Sequence, residues 1–356
     1  MTNARLRAMT LRDGFVAQGA VAVETPILQS AELLLDLYGE DIRARAYITS
    51  DALRGEQMLR PDFTVPVVQM HMAHGAEPAR YTYAGEVFRR QEDDPDRPNE
   101  FLQAGYEVFD RTNPAAADAE VFALFARAVA HLGLRAATGD IGILTAAVDG
   151  LRTTDRRKAA LRRHIWRPRR FRTLLDRFAG RAAIPETRQA LLDGTAVSHA
   201  PLTGLRSPSE IRERIDALRS DAAEPPISAV EMDGLDALLS VRETLPFAVQ
   251  QLRDLAVDLP AIASAVSRME ARMEALSERG VDVDTLEFET SFGRTSMEYY
   301  DGFVFGFYAE SRPDLPAIAS GGRYDALTRR LGTGQEIPAV GGVLRPGLMV
   351  DLEAAT

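Results

Sequence analysis

The stretch YTYAGEVFRRQEDDPDRPNEFLQAGYEVFD, residues 81–110, decides how the chain is read. Two segments of alternating character flank a charged, proline-containing loop, which predicts two strands and their connection. Side chains alternate between the faces of a strand, so residues two apart share one. In the second strand Phe101, Gln103, Gly105 and Glu107 therefore share a face, with Leu102, Ala104, Tyr106 and Val108 on the other. In the first strand Tyr83, Gly85, Val87 and Arg89 share a face. Glycine inside a strand often marks close approach of a ligand to the backbone. An amide and a carboxylate with a glycine between them, beside a second glycine-bearing strand, fit the floor of a small-molecule pocket. An antiparallel hairpin with one face in water fits the same pattern.

The order of the residues adds to this. Phe88–Arg89, a loop carrying Arg97, Glu100–Phe101 and then Gln103 and Glu107 resemble motif 2 of the class II aminoacyl-tRNA synthetases, in the histidyl-tRNA synthetase subtype. VETPILQ (residues 23–29) resembles motif 1, whose proline, here Pro26, sits at that family's dimer interface. LRPDFTVPV (59–67) resembles the histidyl enzyme's LRPE-x-T segment, and MEYYDGFVF (297–305) its second histidine-specific motif. SGGRYDALTRRLG (320–332) resembles the turn before motif 3. The resemblance covers most of the chain and is weak from about Gly150 to Asp284. It implies an α+β fold with an antiparallel sheet flanked by helices. It also implies that Asp62, Thr64, Gln103, Glu107, Tyr299 and Tyr300 stand where the family holds histidine, with Arg89 and Arg97 beside them. The chemistry suits that ligand: carboxylates can hold an α-ammonium or an imidazole N–H, and Arg89 can pair with a carboxylate. Asp62 is a shorter carboxylate where the family has glutamate.

Departures from the family point to function. The position of the motif 3 arginine that holds ATP falls on Leu348; Arg345 is near, but Pro346 follows it and constrains the backbone. The family's catalytic arginine falls on Thr295, with Arg294 one position away, and a one-residue slip on a strand would turn the side chain to the other face. Gln91 replaces a glutamate and Asn99 a second loop arginine. Adenylate transfer needs preorganised charge at the α-phosphate, and losing one donor costs about 2.7–4 kcal/mol of transition-state stabilisation. The chain ends at Thr356, so no C-terminal anticodon-binding domain is expected. A histidine pocket kept beside a dismantled ATP site resembles the regulatory subunits of short-form ATP phosphoribosyltransferase. That resemblance implies a non-catalytic subunit without a cofactor, with L-histidine as effector ligand. It implies assembly with the short catalytic subunit as a hetero-octamer of four plus four chains, homodimerisation through motif 1, a need for the subunit in full activity, and histidine feedback inhibition. The rival readings are a truncated histidyl-tRNA synthetase or amino-acid-activating paralogue, and a tRNA- or amino-acid-binding module.

Bulk properties agree with a globular protein: 46% hydrophobic and 26% charged residues over 356 positions. Without a long apolar run or a signal-peptide pattern, a cytoplasmic location is expected. The absence of cysteine excludes disulfides and thiolate zinc sites. His71 and His74 have the spacing of a shared helical face and could share a metal, but an ordinary helix face explains them better. A net charge of −10 weighs against nonspecific nucleic-acid binding, so tRNA is not an expected partner. Residues 152–177 run against this balance, with eleven basic residues against Asp155 and Asp176. They read as a solvated helical pair first and as a docking surface for an acidic partner or RNA second, with Trp166 as interface anchor or core. The expected organisation is a synthetase-like core from residues 1–149 and 280–356. Residues 150–279 form a mostly helical middle region, partly an insertion between motifs 2 and 3. Helices are expected over Ala4–Gln18, Ser30–Tyr38, Thr64–His74, Asn113–Leu132 and from Ser207, where Pro208 and Glu210 complete a capping box. Strands are expected from Gly139 to Ile143, Thr285 to Thr290 and Glu298 to Glu310, with Ser320–Gly322 as a turn.

Overall fold

The computed structural model describes residues 3–38, 42–91, 97–196, 203–294, 299–332 and 334–355, with Tyr38 described by its backbone alone. The chain forms twelve strands: β1 (Val21–Ala22), β2 (Leu28–Ser30), β3 (Ile48–Asp51), β4 (Gly55–Leu59), β5 (Ala79–Phe88), β6 (Glu100–Phe109), β7 (Arg135–Asp140), β8 (Arg242–Thr244), β9 (Glu287–Glu289), β10 (Phe303–Tyr308), β11 (Ala319–Arg323) and β12 (Ala339–Leu344). Nine of them make one sheet in the order β1-β5-β6-β12-β11-β10-β7-β9-β8, and β2-β4-β3 make a second. The central ladders are antiparallel, as expected; only the peripheral pairs β1–β5 and β7–β9 run parallel.

The alternation read from residues 81–110 is realised in the β5–β6 ladder, where Tyr83 faces Gly105 and Gly85 faces Gln103. One face of the large sheet is covered by helices. Phe15, on the helix Asn3–Ala17, packs 5.2 Å from Tyr106. Phe122, on the helix Pro114–Val129, meets Phe303, Phe305 and Phe307 of β10 at 5.2–6.3 Å. That helix begins where its sequence says it should: Asn113 accepts from the Ala116 N–H at 3.0 Å and Pro114 occupies the first turn. The opposite face carries Gln103, Glu107 and the helix Thr64–His74.

Three local expectations are corrected. Ser320–Gly322 is not a turn but the middle of β11, where Gly321 pairs with Gly342 of antiparallel β12. A Cβ on Gly321 would lie 2.4 Å from the Gly341 carbonyl oxygen and 2.5 Å from the Phe305 ring, so glycine there permits close packing. The strand expected from Gly139 instead ends at Asp140, whose carboxylate accepts from the Gly142 N–H and starts the helix Ile141–Gly150. The strand expected from Glu298 begins at Phe303; Met297 and Glu298 lie outside the described residues.

Residues 150–279 are mostly helical. The Ser207 capping box forms, with Ser207 Oγ accepting from the Glu210 N–H at 3.3 Å and Glu210 accepting from the Ser207 N–H at 2.6 Å. The arginine-rich segment folds into the helices Asp155–Arg163 and Pro168–Phe178. Phe171, Leu175 and Phe178 are buried, and much of the positive charge is paired inside the region. Arg157 is buried against Asp221 at 2.7 Å, and Arg172 pairs with Asp236 and Asp176. Trp166 is half-buried and packs on the hydrophobic core. His71 is a core residue stacked on Phe109 at 4.0 Å, whereas His74 is exposed.

Candidate functional site

Glu107 is the centre of the site. It is fully buried in β6 and accepts three hydroxyl hydrogen bonds: from Thr64 Oγ1 at 3.0 Å, Tyr83 at 2.8 Å and Tyr324 at 2.5 Å. Burial pushes its carboxyl up to about 7 against the pull of those hydroxyls, and the nearby Asp62 pushes the same way. Asp62 is itself buried and accepts from the Val65 N–H at 3.3 Å as the helix Thr64–His74 begins. Two buried carboxylates within electrostatic reach of one another form a place for a cationic or N–H-rich group.

Four residues along β6, Gln103 is also fully buried, and neither its Nε2 nor its Oε1 has a hydrogen-bond partner among the described residues. Such an amide carries an unmet cost of roughly 1–3 kcal/mol that a ligand with a donor and an acceptor would relieve. Tyr299 and Tyr300 precede β10 with ring centroids 4.9 Å apart, and Tyr299 lies 6.2 Å from Tyr324. Burial, then the charges of Glu107 and Asp62, raise the Tyr300 phenol, so it stays protonated. Asp62, Thr64, Glu107, Tyr299 and Tyr300 thus gather around one point, with Gln103 further along the same face.

The glycines have another role than expected. A Cβ on Gly105 would sit 2.3 Å from the Tyr83 ring. One on Gly85 would sit 3.0 Å from both Arg60 and Phe63, and one on Gly306 would sit 2.8 Å from Tyr308. These glycines make room for aromatic rings and the Arg60 guanidinium. The rings in turn aim hydroxyls at Glu107: Phe63 stacks on Tyr83 at 4.3 Å, and Arg60 lies 3.9 Å over Phe63.

The arginines divide into two groups. Arg89 donates to the Pro61 carbonyl at 2.6 Å, Arg97 donates to the Asp314 carbonyl, and Arg345 donates to the Ala317 carbonyl. Arg345 lies within electrostatic reach of Arg89, Arg97, Tyr300 and Tyr308. Arg294 points elsewhere: its Nε donates to the Ile165 carbonyl at 2.8 Å and its guanidinium lies 4.8 Å over Phe171. It therefore ties the arginine-rich helices to the core. Thr295 lies outside the described residues. Sequence reasoning missed Tyr324 and discounted Arg345. Tyr324 follows the glycine pair read as a turn, and Pro346 drew attention from Arg345; continuing the β12 alternation from Gly341 would have placed Arg345 on the site's face.

Comparison with known proteins gives consistent findings. A family model described as histidyl-tRNA synthetase matches residues 2–223 and 209–347. A curated relative from Brucella anthropi, named ATP phosphoribosyltransferase regulatory subunit, is 32% identical over 355 residues, covering 93% of this chain and 93% of its own. A relative of the same name from Brucella ovis is 32% identical over 353 residues with the same coverage. Among solved structures, an ATP phosphoribosyltransferase regulatory subunit/histidyl-tRNA synthetase from Bacillus halodurans superposes with a TM-score of 0.68 at 22% identity, covering 98% of this chain and 79% of that one. A histidyl-tRNA synthetase from Nostoc gives 0.66 at 17% identity, covering 99% and 72%. At those identities the structures establish the shared fold.

Proposed function

The chain belongs to the histidyl-tRNA synthetase family, among its ATP phosphoribosyltransferase regulatory subunits, and from that premise we propose that it is a non-catalytic subunit that binds L-histidine and regulates a short-form ATP phosphoribosyltransferase. In this reading the catalytic subunit needs it for full activity, and histidine inhibits only through it. The observation that carries the reading is the buried Glu107, accepting from three hydroxyls, on one face with the buried Gln103; we read it as an amino-acid pocket kept next to a depleted nucleotide site. In this reading Glu107, Asp62, Thr64 and Gln103 receive histidine, the resemblance puts Leu348 at the position of the motif 3 arginine, and Arg294 is held by Ile165 and Phe171 instead. Arg89 and Arg97 line the same side. The assembly proposed is a hetero-octamer of four catalytic and four regulatory chains. Homodimers form through motif 1, where exposed Val21, Ile27 and Leu28 flank Pro26. No described helix is long and apolar enough to cross a membrane.

The test is phosphoribosyl transfer from phosphoribosyl pyrophosphate to ATP by the short catalytic subunit from the same source, with and without this chain and then with histidine. Stimulation by the chain, with inhibition by histidine only in its presence, is the expected result. Histidine-dependent exchange of pyrophosphate into ATP by the chain alone would replace this reading with an amino-acid-activating enzyme.

A further inference from the structure

The site's face continues past Gln103 onto β12. Val343 pairs with Gly105 and Leu344 with Ala104, and the Arg345 N–H extends the neighbouring ladder to the Ile318 carbonyl at 2.9 Å. The next position opposite Arg345 is Gln103, and alternation puts the two side chains on one face with Glu107. Pro346 then starts the last helix, Pro346–Ala355, and the Met349 N–H bonds the Arg345 carbonyl at 3.1 Å, so the Arg345 backbone is held on both sides.

The guanidinium so placed meets a backbone carbonyl and, among the described residues, no carboxylate. Burial, then the positive charge of Arg89, pull its pKa down to about 10, so it remains a cation at neutral pH. Across the ladder, by continuation of the register, stands the fully buried Gln103 amide, which has no hydrogen-bond partner among the described residues. Negative charge gathers at the other end of the face, on Asp62 and Glu107. One face therefore offers a positive end, a neutral hydrogen-bonding middle and a negative end, which complements a zwitterion.

We propose that Arg345, supported by Arg89, binds the α-carboxylate of the amino acid held at Gln103 and Glu107, and that it makes the pocket selective for the free acid over the corresponding alcohol. The inference rests on the histidine reading for the identity of that amino acid. A planar guanidinium fork matches a carboxylate, and such a contact discriminates by about 10- to 100-fold.

The experiment is titration calorimetry of the full chain, alone and assembled with its catalytic partner, using L-histidine and L-histidinol. The wild type is expected to bind histidinol at least about tenfold more weakly than histidine. Arg345→Met should lose affinity for histidine by a similar factor and leave histidinol binding unchanged, with Arg345→Lys restoring part of the loss. A wild type that binds both ligands equally overturns the proposal without any variant. So does an Arg345→Met chain of native melting temperature that keeps full affinity for histidine. If the wild type binds neither ligand, alone or assembled, the histidine reading falls and the inference falls with it.

Discussion

At the scale of single residues, Glu107 is both the centre of the proposed histidine pocket and a strain on the empty protein. Burial holds its carboxyl up to about 7, above its ordinary value of 4.5. Asp301 is likewise pushed up to about 7 by burial and by Asp325. A carboxyl with a raised folded-state pKa binds its proton more tightly when folded. Its stabilising effect is complete below the unfolded value and is lost as pH rises through the folded one. The ligand-free chain is therefore expected to lose melting temperature between pH 4.5 and 7. Glu107→Gln should flatten that loss and, at pH 8, stabilise the empty protein by up to about 3 kcal/mol. The same substitution should weaken histidine binding by roughly 1.5–3 kcal/mol, since a charge-assisted hydrogen bond is lost. Melting curves at pH 5 and 8 with parallel titrations check both signs; a fall in stability and affinity together would mean that Glu107 is structural. A second substitution tests the packing. Gly105→Ala drives a methyl group into the Tyr83 ring and should cost about 1–3 kcal/mol, read as a lower melting temperature. The shared face of Gln103 and Glu107 was legible in the sequence because period-two alternation needs only neighbours along one strand. Tyr324 reaches Glu107 across 217 positions, and no local pattern carries that contact.

At the scale of elements, punctuation was the reliable signal. Asn113–Pro114 and Ser207–Pro208–Glu210 mark helix starts because the side chains satisfy backbone N–H groups that the helix leaves orphaned. Glycine pairs misled, since Gly321–Gly322 serve close packing within a strand instead of a turn. The helix Pro208–Ala223 has no buried residue among its sixteen, so its cap matters more than its packing. Ser207→Ala should destabilise this helix by about 1 kcal/mol. Because the helix buries so little, the loss should appear as faster amide exchange confined to residues 208–223. Faster exchange spreading equally through β6 and β12 would show that the helix unfolds only with the core.

At the scale of the whole molecule, five ordered motif segments made the synthetase-like core legible, while the attachment of the middle region was not. Part of that attachment is a buried ionic network. Arg272, on the helix Ala263–Glu278, donates to Asp140 at 2.8 Å and to Asp118 at 3.3 Å, and lies 4.4 Å over the Phe303 ring. Asp118 also accepts from Arg323 at 2.6 Å, and Arg323 continues to Asp325 at 3.0 Å. Asp325 accepts from the Ala339 N–H at 2.9 Å, its own N–H donates to Asp301 at 3.0 Å, and the next residue along from Arg323 is Tyr324, the Glu107 partner. The network thus runs from the middle region, through the sheet, to the strand–helix junction whose Tyr324 hydroxyl reaches Glu107. The links from Arg272 to Asp118 and Asp140, and from Arg323 to Asp118, each span more than a hundred positions, which is why spacing could not reveal them. Replacing Arg272 with methionine keeps the bulk against Phe303 but leaves Asp140 buried without its cation. Removing one partner of a buried pair costs about 3–5 kcal/mol, more than an exposed pair such as Arg43–Glu56 would contribute. Arg272→Met should therefore lower the melting temperature by several degrees in one cooperative transition, as the middle region and core unfold together. It should also weaken histidine binding, because Arg323 and the Tyr324 turn lose support. Calorimetric scans with and without histidine separate the alternatives: two resolved transitions, or unchanged affinity, would mean that the network fastens the middle region without reaching the site.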